Sequence, residues 1–183
     1  MDETTRIFIS PELFAPAESS HFEGELALSS LQAGPDEYVF SEPLAWRADI
    51  TNTGDALLVT GTVTGGATAS CARCLDEFPM ALAGDIEGYY LIDEGGQAPE
   101  DMDDDEFDVL PSDHVIDLEP LIKAALLVEF PLVPLCDEDC KGLCASCGAN
   151  LNEGPCGCAP VEGDDDAPPN PFSVLKDFPF DGK

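Results

Sequence analysis

Leu44-Ala45-Trp46-Arg47-Ala48-Asp49-Ile50-Thr51-Asn52-Thr53-Gly54-Asp55-Ala56-Leu57-Leu58-Val59-Thr60-Gly61-Thr62-Val63-Thr64 is the stretch from which the fold is read. Leu44, Trp46, Ala48 and Ile50 alternate with Ala45, Arg47, Asp49 and Thr51. Further on, Leu57, Val59, Gly61 and Val63 alternate with Leu58, Thr60, Thr62 and Thr64. A period of two puts each set on one face of a β-strand. Thr51-Asn52-Thr53-Gly54-Asp55 lies between them and has the composition of a hairpin turn. Working outward, Gly65-Gly66 reads as another turn, followed by a third run from Ala67 to Cys71. Ile86 to Ile92 is a further strand candidate, and Ile7-Phe8-Ile9 is a short apolar start. Residues 1–92 therefore read as a β-rich region built on an antiparallel, partly curled sheet.

Beyond this region the character changes. Residues 93–116 are dominated by Gly, Pro and acids and read as a solvated acidic loop. Such a loop is either a charged linker or a docking strip for a basic partner. Residues 117–134 read as a helix covering the sheet: Asp117 can cap its first turn, and Pro120 is tolerated there. Leu118, Leu121, Ile122, Ala125 and Leu126 form its apolar stripe, and Pro131 and Pro134 end it. Residues 135–160 hold six cysteines. Residues 161–183 form an acidic tail in which Asn170-Pro171 would open a short helix edged by Phe172, Leu175 and Phe178. The fold class expected is α+β: a mainly antiparallel β domain covered by one helix, with a Cys-rich zinc-binding C-terminal region.

Charge narrows the function. The chain of 183 residues carries 38 Asp and Glu against 7 Lys and Arg, a formal net charge of −31. A nucleic-acid binder typically neutralises about 6–10 phosphates with basic side chains. Here Arg6, Arg47, Arg73, Lys123, Lys141, Lys176 and Lys183 are dispersed, so direct nucleic-acid contact and a polybasic membrane patch are both disfavoured. No apolar run approaches the roughly 18 residues of a membrane span. The start, MDETTRIFIS, lacks the n- and h-regions of a secretory signal. A cytoplasmic protein is the expectation.

Eight cysteines in a reducing compartment point to a metal or redox centre rather than disulfides. Cys71-x2-Cys74 lies at the end of a strand run; Cys136-x3-Cys140-x3-Cys144-x2-Cys147 and Cys156-x-Cys158 follow, with Gly142, Gly148, Gly154 and Gly157 among them. A structural zinc ion takes four tetrahedral ligands, and glycines allow the tight turns that aim two thiolates at one ion. Eight thiolates fill two structural zinc sites. A local grouping is Cys144, Cys147, Cys156 and Cys158, which leaves Cys71, Cys74, Cys136 and Cys140 to close a loop of about sixty residues, a closure whose entropy grows only slowly with length. Exchange of Cys136 or Cys140 with Cys144 is the alternative pairing. Iron–sulfur ligation and a redox CxxC are the rival chemistries; the spacing matches neither common ferredoxin run, and no helix opens at Cys71. No GxSxG, P-loop or HExxH motif is present, and His21 and His114 sit in polar settings. Four-cysteine zinc leaves no open position for water, so an enzyme is not expected.

Cys71-Ala72-Arg73-Cys74-Leu75, Cys140-Lys141-Gly142-Leu143-Cys144-Ala145-Ser146-Cys147-Gly148-Ala149-Asn150-Leu151-Asn152, Cys156-Gly157-Cys158 and Asn170-Pro171-Phe172-Ser173-Val174-Leu175-Lys176 occur in that order. This ordered set resembles the bacterial YceD-like family, large ribosomal RNA subunit accumulation proteins. The resemblance covers about Ala67 to Phe178. It implies a cytoplasmic factor needed for normal levels of 23S ribosomal RNA, linked to a small basic large-subunit ribosomal protein, number thirty-two of its series. It also implies that Cys71, Cys74, Cys136 and Cys140 follow the more general pattern, while the Cys144 to Cys158 group belongs to some members. With a charge of −31 and acidic strips at 100–108 and 162–166, such a factor would act through a basic ribosomal protein or the assembling large subunit. An acidic surface serving solubility alone is the competing account of the charge.

Overall fold

The computed structural model describes residues 5–93, 96, 102–103 and 106–158. The chain divides into two compact units, Met1–Cys140 and Lys141–Lys183. The first unit holds the strands β1 (Arg6–Phe8), β2 (Ser19–Leu26), β3 (Ser30–Ala33), β4 (Asp36–Val39), β5 (Leu44–Asn52), β6 (Ala56–Ser70), β7 (Glu77–Leu91), β8 (Asp108–Val109) and β9 (Val115–Asp117), with the helix α1 (Glu119–Glu129). Among the described residues, no helix is long and apolar enough to cross a membrane.

The alternating run forms the centre of a seven-stranded, mostly antiparallel sheet. In β5, Leu44, Trp46, Ala48, Ile50 and Asn52 are buried and their neighbours are not. The register then aligns rows across three strands: Trp46 with Val63 and Gly84, Ala48 with Gly61 and Ile86, Ile50 with Val59 and Gly88. Large and small side chains alternate along these rows, which fills the core without strain. Each fully buried Ile, Leu or Val contributes about 1.5–3 kcal/mol relative to exposure. The turn after β5 is closed by Asn52, whose Oδ1 accepts the Gly54 N–H at 2.7 Å and whose Nδ2 donates to the Leu13 carbonyl at 2.8 Å. Gly54 lies at φ +117°, a conformation that L side chains rarely adopt.

Gly65-Gly66 is not a turn. β6 runs unbroken through it for 15 residues and pairs with β7 from Ala56↔Leu91 to Ser70↔Glu77, so Ala67–Ser70 of the third run belong to the same strand and Cys71 follows its end. Glycine here answers a different demand: a Cβ on Gly65 would come within 2.4 Å of Leu44 Cδ2. The opposite side of β6 is shared, by β5 over Leu57–Thr64 and by β4 through Val39↔Thr68.

The stretch 93–116 is partly structured. β8 pairs in parallel with Tyr90 and Leu91 of β7, and β9 pairs antiparallel with β1. Leu110 and Ile116 of this stretch are buried in the core. α1 begins at Glu119, with Pro120 in its first turn. Asp117 Oδ1 accepts the Glu119 N–H at 3.0 Å and the Thr5 hydroxyl at 3.1 Å. Leu118, Ile122, Ala125 and Leu126 are buried, with Leu121 packed against the core. The helix lies against β7, where a Cβ on Gly84 would meet the Ala125 carbonyl at 2.9 Å. At its far end Phe130 stacks on Tyr38 of β4, ring centroids 3.7 Å apart. The short helix expected at Asn170-Pro171, with the rest of the tail, lies outside the described residues.

Candidate metal centres

The two ends of β6 and β7 meet at Cys71-Ala72-Arg73-Cys74, which forms the turn of the long hairpin. The Cys71 N–H donates to the Asp76 carbonyl at 2.9 Å, and the Leu75 N–H donates back to the Cys71 carbonyl at 2.9 Å. The Arg73 N–H points at Cys71 Sγ, 3.4 Å away. Leu75 closes the turn in the left-handed region, at φ +64°, with 67% of its surface exposed. A non-glycine residue there costs roughly 1–2 kcal/mol. Replacing Leu75 with Gly removes that strain and loses little packing. After the added unfolded-state entropy of glycine, about 0.4–1 kcal/mol, a net gain of up to about 1 kcal/mol is expected in denaturant unfolding. A loss would show that the exposed leucine makes contacts that outweigh its strain.

The other half of this centre comes from the chain beyond α1. The Ala72 N–H donates to the Pro134 carbonyl at 2.8 Å, drawing the segment onto the knuckle. Arg73 Nη1 donates to the carbonyls of Glu138 and Cys140, both at 3.0 Å. The Cys140 N–H is held by the Asp137 carbonyl at 3.0 Å, and Asp137 Oδ1 accepts the Asp139 N–H at 2.8 Å. Cys71 Sγ lies 3.7 Å from Cys140 Sγ, and Cys74 Sγ lies 3.7 Å from Cys136 Sγ. All four sulfurs lie within 4.8 Å of one another, with Cys71, Cys74 and Cys140 buried and Cys136 exposed.

The second unit repeats the first knuckle bond for bond. The Cys144 N–H donates to the Ala149 carbonyl at 2.8 Å, and the Gly148 N–H donates to the Cys144 carbonyl at 2.8 Å. Leu143 bridges Asn150, as Ser70 pairs with Glu77 in the first. Gly148, at φ +73°, occupies the place that Leu75 holds in the first knuckle. Asn150 Oδ1 and Asn152 Oδ1 accept the N–H groups of Asn152 (2.9 Å) and Lys141 (2.8 Å) and fold the chain back. Cys156 and Cys158 join Cys144 and Cys147, all Sγ atoms again within 4.8 Å, with Cys147 and Cys158 exposed. The eight thiols are therefore brought together in the two groups that the spacing suggests, with Cys144 in the second.

Sulfurs 3.7 Å apart are not disulfides, whose bond is about 2.05 Å. Four thiolates at a bond length of about 2.3 Å around one tetrahedral ion are separated by about 3.8 Å, so the first cluster has the dimensions of a four-thiolate metal site. Electrostatics agrees. Burial pushes the Cys71 thiol up, but the backbone N–H groups of Cys136, Cys74 and Arg73 and the Cys74 thiol outweigh it and bring it down to about 6. The Asp76 N–H favours the Cys74 thiolate, yet burial and the thiols of Cys71, Cys136 and Cys140 push it up to about 12. In the second cluster, the N–H groups of Cys147 and Ser146, with the thiols of Cys156 and Cys147, lower Cys144 to about 6. The thiols of Cys147 and Cys156 drive Cys158 up to about 12. One thiolate forms readily in each group and opposes the next; a divalent cation reverses that opposition.

Arg73 carries no signal in the sequence, because its partners are carbonyls 65 and 67 residues away. Replacing it with Ala removes two hydrogen bonds from a charged group, each worth about 1.5–3 kcal/mol, and frees the Cys136–Cys140 loop. The expected result is faster metal loss to a chelator from the first cluster alone. Equal rates in the variant and the wild type would assign the loop's position to Ala72 and Pro134 instead. The histidines are engaged elsewhere: His21 Nδ1 pairs with Asp49 at 2.9 Å on the exposed sheet face, and His114 packs against Phe14.

A family model described as large ribosomal RNA subunit accumulation protein YceD matches residues 59–179. An uncharacterized protein of Mycobacterium leprae is 31% identical over 109 residues, 60% of this chain and 49% of that protein. An uncharacterized protein of Mycobacterium tuberculosis (strain ATCC 25618 / H37Rv) is 32% identical over 106 residues, 58% of this chain and 50% of its own. The Arabidopsis thaliana protein named large ribosomal RNA subunit accumulation protein YCED homolog 1, chloroplastic, is 27% identical over 152 residues, 70% of this chain and 47% of that one. The chain thus spans about half the length of these relatives. No solved structure matches it.

Proposed function

Because this chain belongs to the YceD family of large ribosomal RNA subunit accumulation proteins, we propose that it is a non-enzymatic factor of ribosome biogenesis that supports 23S ribosomal RNA through a basic protein partner. The observation that carries this reading is the family match over 59–179, a span that contains all eight cysteines. Both clusters serve as scaffold. Cys71, Cys74, Cys136 and Cys140 would hold one zinc ion, and Cys144, Cys147, Cys156 and Cys158 another. Each ion would supply tetrahedral cross-linking and neutralise thiolate charge, with no open position for water. Sulfurs all within 4.8 Å suit one ion and leave no space for a polynuclear iron–sulfur core.

The charge of −31 supports the choice of partner. Ribosomal RNA would be repelled, whereas a basic ribosomal protein would be drawn in quickly and released by salt. Depleting the protein from cells that make it should lower 23S relative to 16S ribosomal RNA; an unchanged ratio defeats the assignment. Purified protein should capture a basic large-subunit protein at low salt and release it as screening rises, while failing to shift 23S fragments in a gel. A shift of those fragments without a protein partner would reverse the choice.

A further inference from the structure

β7 is 15 residues long, and among the described residues its outer edge is paired only at Tyr90 and Leu91, by β8. Along the open part, α1 lies under the strand: Cβ atoms on Gly84 and Gly88 would meet the Ala125 carbonyl and Leu121. Between strand and helix runs a groove of about 390 Å³. Its floor is apolar, made by Leu121, Ala124 and Val128, and Val128 is 83% exposed. Asp85, Glu87 and Glu129 stand along it, all exposed. Asp85 and Glu87 are on the sheet face opposite the helix, since Gly84, Ile86 and Gly88, which alternate with them, face the core rows.

We propose that this edge takes an extended segment of a basic partner as an added strand, with Lys or Arg alternating with aliphatic residues. Backbone groups of β7 pair with the incoming strand. Its side chains alternate between two faces: one set reaches Asp85 and Glu87, the other rests on Leu121, Ala124 and Val128. The edge is competent for such pairing, because β8 already uses its end. Carboxylates on an edge strand repel a second copy of themselves and so oppose self-pairing, which leaves a cationic strand as the occupant with matching charge. The inference rests on the reading of the partner as basic, and adds where and in what form that partner binds.

The test uses the full zinc-loaded chain and two labelled synthetic peptides of equal composition, (Lys-Val)4 and Lys4Val4, read by fluorescence anisotropy. The alternating peptide should bind at low salt and the block peptide about tenfold more weakly. Asp85→Lys with Glu87→Lys should weaken the alternating peptide about tenfold or more, and Val128→Lys should weaken it too. Glu37→Lys with Glu42→Lys makes the same charge change at exposed positions elsewhere and should cost far less. Amides of Glu77–Tyr89 should exchange more slowly when the alternating peptide is bound. Equal affinity for both peptides, equal loss in both double variants, unchanged amide exchange, absence of binding, or a dimer that the Asp85/Glu87 reversal dissociates each overturns the proposal. Capture of a basic ribosomal protein that survives the Asp85/Glu87 reversal discards this groove and keeps the function; no capture by the wild type discards the function.

Discussion

Replacing Cys71 with Ser should take bound zinc from near two ions per chain to near one and lower the melting temperature of the first unit by about 10–20 °C. Cys71 is fully buried at the tip of the β6–β7 hairpin and 3.7 Å from Cys140. A serine hydroxyl is a poor fourth ligand, so Cys74 and Cys140, both buried, and Cys136, which is exposed, are left around an ion they cannot hold. Structural zinc contributes about 10–16 kcal/mol in small sites, and losses of about 4–5 kcal/mol mark the extreme end of single substitutions. At about 2–4 °C per kcal/mol for a chain of this size, the shift follows. Cys147→Ser is the control: it should also remove one zinc, while leaving the melting of the sheet where it was. Elemental analysis that returns two zinc ions in the Cys71 variant would refute the long-range site.

Metal removal should unfold the second unit first and completely. In residues 141–158 no hydrophobic side chain is buried, and the regular structure there is a single bridge, Leu143↔Asn150. A segment without a core cannot offset its chain entropy of about 1–2 kcal/mol per residue, so on the proposed reading a bound ion supplies its folding energy. Cys147 and Cys158 are exposed, while three cysteines of the first cluster are buried. A chelator should therefore release zinc in two phases. The fast phase should coincide with loss of amide protection over 141–158, and the slow phase with fraying of the hairpin tip. The sheet keeps its own core of Trp46, Ile50, Leu57, Val59 and Ile86 and should retain its strand signal throughout. One phase, or protection of 141–158 that survives metal removal, would show another source of order in that unit.

The parts of this fold legible in the sequence are those where one residue type has one physical use. Alternation at 44–51 and 57–64 was readable because a half-buried sheet forces a period of two. Cysteine grouping was readable because two thiolates on a short turn have few other tasks. Gly65-Gly66 misled because glycine serves both turns and close packing, and only the contact with Leu44 decides between them. Leu75 hid a turn, since leucine is not a residue that signals positive φ. β8 and β9 give no apolar signal: both residues of β8 are exposed, and only Leu110, just after it, and Ile116 of β9 reach the core, two side chains among many carboxylates. Arg73 could not be read at all, because its role exists only once chain segments 65 residues apart have met.

The first cluster is assembled from cysteines whose sequence gap is 62 residues, Cys74 to Cys136. At about 5–20 residues per second, translation from Leu91, where β7 ends, to Cys140 leaves a finished hairpin displaying two unligated cysteines for roughly 2–10 s before the completing pair is made. During that interval a nascent chain is bait for soft copper(I), which two sulfurs already satisfy. Expression in copper-loaded medium should accordingly yield a mis-metallated fraction at this centre, whereas the second centre is synthesised almost in one burst and escapes.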